Sequence, residues 1–102
     1  DCAIGLIDGI VRARYRQGTL SAVPIKPGEV TEYTIDLWAT SNVFKSGHRI
    51  RVEVSSSNFP RFDRNPNTGA EPGYAVAMQI AQQTVHHSTR YPSKITLPVI
   101  PR

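Results

Sequence analysis

From Arg49 to Val54 the side chains alternate without a break: Ile50, Val52 and Val54 are apolar, while Arg49, Arg51 and Glu53 are charged. A period of two is the spacing of a β-strand with one face towards a core and the other towards water. The pattern recurs. Tyr33, Ile35 and Leu37 alternate with Glu32, Thr34 and Asp36, and Val11, Ala13 and Tyr15 alternate with Arg12, Arg14 and Arg16. Near the end Ile95, Leu97 and Val99 share a face, and Pro98 confines that run to a sheet edge or to its outer register. Four such runs predict an all-β fold, an antiparallel β-sandwich built on a one-sided sheet.

The residues between the runs agree with that reading. Lys26-Pro27-Gly28-Glu29 and Lys45-Ser46-Gly47-His48 each place a glycine where a turn needs positive φ, just ahead of a predicted strand. Residues 74–84 fit two periods. Val76, Met78 and Ile80 alternate, whereas Val76, Ile80 and Thr84 have helical spacing, and the small Ala75, Ala77 and Ala81 favour one short helix near 74–83. No repeat and no linker divides the chain, so residues 1–102 are expected to form a single domain.

Composition narrows the function classes. The net charge of +4 reads as a solubilising surface before it reads as a nucleic-acid footprint. Cys2 is the sole cysteine, so no disulfide closes within the chain and no cysteine-based zinc site can form. No apolar run approaches a membrane span, and no signal-peptide pattern opens the chain. The expected compartment is the cytoplasm, although a chain that begins at Asp1 without a Met leaves a start upstream open. Neither cofactor nor metal is expected.

Candidate chemistry is sparse. A serine hydrolase of the α/β type presents its nucleophile in a G-x-S-x-G elbow. Ser55-Ser56-Ser57 lacks the flanking glycines and suits backbone bonding by hydroxyls instead. His48, His86 and His87 are the only imidazoles, and neighbours on a strand point to opposite faces, which opposes a shared metal. The stripe Arg12, Arg14, Arg16 has no stacking aromatic on its own face, as single-stranded nucleic acid would require. Trp38 falls on the polar side of its run. Such a ring serves either as a sugar platform or, more commonly, as a contact buried between sheets or domains. The connection 58–73 is longer than most loops that do no work. It sets Phe59 and Phe62 among Arg61, Asp63 and Arg64, which suits aromatic anchors with charged groups bonding nearby backbone.

Several blocks, taken in order, resemble one family. They are Asp8-Gly9-Ile10 with Arg12-Ala13-Arg14-Tyr15-Arg16, Pro27-Gly28-Glu29, and Tyr33-Thr34-Ile35-Asp36-Leu37-Trp38. There follow Ser41-Asn42-Val43-Phe44, Gly47-His48-Arg49-Ile50-Arg51, Ser55-Ser56-Ser57-Asn58-Phe59-Pro60-Arg61-Phe62, Arg64-Asn65 and Asn67-Thr68-Gly69. The last run from Gln83-Thr84-Val85-His86 through Pro92-Ser93 to Leu97-Pro98-Val99-Ile100-Pro101. In this order the chain resembles the C-terminal domain of the X-Pro dipeptidyl-peptidase and cocaine-esterase type of serine hydrolase. The resemblance implies the later part of a jelly roll of the galactose-binding-like kind, with its first strands preceding Asp1. It implies no catalytic residue here. It also implies a partner, either the α/β-hydrolase domain of the same parent chain or a second copy of this chain in a free-standing homodimeric module. The residues expected to make docking contacts are Asn58, Phe59, Arg61, Phe62, Asp63 and Arg64 in the loop, together with Trp38.

Overall fold

The turns form where the glycines require them. The Glu29 N–H donates to the Lys26 carbonyl at 3.2 Å and the His48 N–H to the Lys45 carbonyl at 3.1 Å. Gly28 and Gly47 take φ of +79° and +82°, the value a type II turn asks of its third residue. These turns belong to a computed structural model that describes residues 2–70, 73–74 and 76–101. The chain divides into two units, Asp1–Ser55 and Ser56–Arg102.

The runs between the turns do not pair into a sheet. Among the described residues there is no strand, and the helical element is a 3-10 turn at Ala13–Tyr15. This overturns the all-β expectation, the antiparallel β-sandwich and its partial jelly-roll form alike. The short helix expected near 74–83 is overturned as well: residues 74 and 76–83 carry none, and Ala75 lies outside the described residues. The physical reason is that alternation specifies only which way side chains point. A strand also needs a continuous run of N–H and C=O groups on a neighbour. Here the backbone bonds between distant described residues are single ones, Val23 N–H to the Arg14 carbonyl at 2.7 Å and Gln79 N–H to the Pro66 carbonyl at 2.9 Å.

Residues 11–16 show what replaces the first expected strand. The Tyr15 N–H donates to the Arg12 carbonyl at 2.8 Å and the Gly18 N–H to the Tyr15 carbonyl at 3.1 Å. The Arg16 guanidinium then donates from Nη1 to the carbonyls of Ala13 (2.9 Å) and Val23 (2.6 Å). One cationic fork thus satisfies two acceptors and ties the turn to the chain that returns at Val23. With three residues per turn, Arg12, Arg14 and Arg16 no longer share a face. The arginine stripe is not formed.

The apolar side chains remain uncovered. Ile50, Val52 and Val54 are 54%, 59% and 65% exposed. On the same segment Arg51 and Glu53 pair at 3.6 Å in solvent, a contact worth little by itself. The chain exposes 10202 Å² in all. A folded monomer of 11.3 kDa exposes about 5,700 Å², and two separate folded units of half that mass about 6,900 Å² together. Among the described residues no large apolar side chain is buried. Among the described residues the exposed side chains include many large apolar ones that lack a cover.

Candidate docking site

The loop from Asn58 is organised locally. The Phe62 N–H donates to the Asn58 carbonyl at 3.0 Å, closing a turn across a cis Phe59–Pro60 peptide. The guanidinium of Arg61 lies 5.4 Å from the centre of the Phe62 ring, and that of Arg64 lies 5.2 Å from the centre of the Phe59 ring. Each separation is inside the range of a cation–π contact. The turn therefore brings Asn58, Phe59, Arg61, Phe62 and Arg64 together, with the arginines on the aromatic faces. Phe62 is half-buried, while Phe59 is still 62% exposed.

Downstream, the loop is fastened by an asparagine pair, Asn65 and Asn67, whose bonds periodicity does not register. The Asn67 N–H donates to Asn65 Oδ1 at 3.0 Å around the buried Pro66. Asn67 itself takes φ of +59°, a left-handed conformation that asparagine tolerates better than most residues. Its Nδ2 donates to the Gln79 carbonyl at 2.9 Å, beside the bond from the Gln79 N–H to Pro66. The Asn-Pro-Asn order carried the signal, since Asx turns favour that composition. Replacing Asn67 by Ala removes the side-chain bond and leaves a strained backbone. The expected cost is about 1–2 kcal/mol, read as a lower urea midpoint of the gene product. Asn67→Gly, which relieves the backbone, is expected to recover part of it.

Asp63 and Arg64 line a shallow cleft of about 200 Å³ with Pro66, Gly73, Val76 and Met78. A second cleft in the Asp1–Ser55 unit, about 280 Å³, is lined by Arg16, Gln17, Glu29, Val30, Thr31 and Glu32. Both fall below the ~300–1,000 Å³ of ordinary small-molecule pockets. Among the described residues no group of three His, Cys, Asp or Glu converges to hold a metal. His86 stacks at a tilt against Tyr91, 5.3 Å between ring centres, and its carbonyl accepts the Ser93 hydroxyl. Among the described residues no helix is long and apolar enough to cross a membrane.

Trp38 lies in the Asp1–Ser55 unit. It is 87% exposed and has φ of +64°. Its backbone N–H donates to Asp36 Oδ1 at 2.7 Å. Neither the left-handed backbone nor the Asp36 contact was legible in the alternation of residues 32–37.

The Asn58–Arg64 turn thus presents aromatic rings with arginines on their faces, and in the other unit residues 50, 52 and 54 present exposed apolar side chains. A family model described as the X-Pro dipeptidyl-peptidase C-terminal non-catalytic domain matches residues 5–96. The chain belongs to that family. It is 50% identical over 105 aligned positions to a cocaine esterase of Rhodococcus sp. (strain MB1 Bresler), a match covering 98% of this chain and 18% of that protein. It is also 34% identical over 79 positions to provisionally named serine esterases of Mycobacterium bovis and Mycobacterium tuberculosis, covering 78% of this chain and 11% of each. The chain thus spans under a fifth of the length of these relatives. No solved structure matches it.

Proposed function

We propose that the chain is a non-catalytic accessory module of a larger serine hydrolase acting on ester, peptide or amide bonds. In this reading it stabilises and shapes the catalytic α/β domain of the same parent chain. The supporting observation is the uncovered apolar surface, above all Ile50, Val52 and Val54 on one segment. Fully burying such a side chain is worth roughly 1.5–3 kcal/mol, and with more than half of each still exposed a covering domain gains the larger part of that. The relatives named as esterases are several times longer, which supplies a covering domain within one polypeptide.

The test compares the gene product with a version lacking residues 5–96. The deleted version is expected to lose esterase activity on mild heating much sooner than the intact product. The 102-residue chain alone is expected to hydrolyse no ester above the buffer rate. Turnover that disappears on Ser56→Ala, or an unchanged heat resistance after deletion, would sink the reading. A gene product of this length whose mass doubles with concentration would instead favour a free-standing homodimeric module.

A further inference from the structure

We infer that Trp38 is the anchor by which this module seats on the remainder of its parent chain, inserted into a pocket outside these 102 residues. The inference rests on the function proposed above and adds a residue to it. Two observations combine. The indole is 87% exposed, so its own unit gives the ring little contact. Its backbone holds φ of +64°, a region that bulky residues rarely occupy and that concentrates at clamps and binding sites. A random surface tryptophan would relax. This one has its backbone held by the bond from its N–H to the Asp36 carboxylate at 2.7 Å, so the stem that carries the ring is set before any contact is made.

A protruding indole on a held backbone has the character of an interface hot spot. Tryptophan is enriched at such points, and pre-organisation reduces the entropy lost on association. The residues that follow, Ala39, Thr40, Ser41 and Asn42, are small or polar and exposed, which leaves room for a receiving surface to close round the ring. The occupant is the same polypeptide because this chain accounts for only 18% of the cocaine esterase it resembles at 50% identity. The bulk of that relative lies outside the matched region.

The experiment places p-benzoylphenylalanine at position 38 of the full gene product, irradiates it and maps the cross-links by mass spectrometry. Cross-links to the same polypeptide outside residues 1–102 are the expected result. Cross-links confined to residues 1–102, cross-links to a second copy, or none at all, as for a carbohydrate platform open to solvent, overturn the inference. Heat inactivation of Trp38→Gly gives an independent reading. Glycine relieves left-handed backbone, so a merely strained surface residue would leave the half-life unchanged or lengthen it. An anchor shortens it by about 30-fold or more, with Trp38→Phe retaining most of the lifetime. If deleting residues 5–96 shortens the half-life while Trp38→Gly does not, the anchor alone fails. If the deletion has no effect, the proposed function fails with it.

Discussion

Replacing Val52 by Asp is expected to destabilise the gene product by about 3–4 kcal/mol, seen as a large fall in the urea midpoint at an unchanged slope. Val52 stands between Ile50 and Val54 on one segment, and all three are more than half exposed. If a catalytic domain covers this surface, the substitution puts an unpaired carboxylate where water has been excluded, among the costliest of single changes. The control is Arg51→Ala. It removes the solvent-exposed Arg51–Glu53 contact at 3.6 Å and should shift stability by less than about 1 kcal/mol. The contrast between adjacent positions carries the test. An uncovered surface would make Val52→Asp as mild as Arg51→Ala, and the accessory-module reading would lose its main support.

How much of this was legible in the sequence depends on how local each feature is. The turns at Gly28 and Gly47 were legible because their geometry is set within four residues. The loop's aromatic and basic character was legible too, since Arg61 with Phe62 and Arg64 with Phe59 are close in sequence. The resemblance placed the chain in its family. The lack of a sheet among the described residues was not legible, because alternation in residues 49–54 is only half of what a strand requires. The other half is a neighbouring backbone, which no single segment encodes. Residues 11–16 illustrate the same point. Their pattern was strand-like, yet the bonds from Arg16 to the Ala13 and Val23 carbonyls favour a 3-10 turn. Trp38 was hidden for a related reason: its conformation depends on the Asp36 carboxylate two residues back, a contact that periodicity does not register.

Gly9→Val should cost about 3 kcal/mol, at the upper end for over-packing, and Gly9→Ala nearly as much, because the first added carbon does the damage. A Cβ on Gly9 would overlap the Asp36 carbonyl oxygen and lie 3.0 Å from Ile35 Cγ2 and 3.1 Å from Leu37 Cδ2. The two side chains can rotate away. The carbonyl cannot, unless the backbone at Asp36 moves, and the Asp36 carboxylate holds the Trp38 N–H at 2.7 Å. Damage at Gly9 therefore reaches Trp38 through one residue. Gly5 is the matched control, since a Cβ there meets nothing within 4 Å. Gly5→Ala is expected to be neutral, or to stabilise slightly by restricting the unfolded chain. Urea midpoints of the two variants in the gene product decide the matter. A Gly9→Ala as benign as Gly5→Ala would mean that residues 8–10 do not lie against residues 35–37. If Gly9→Ala is costly, combining it with Asp36→Ala should give less than the sum of the two effects, because both act on the same turn. That shortfall would show that the close approach at Gly9 and the projection of Trp38 form one structural device.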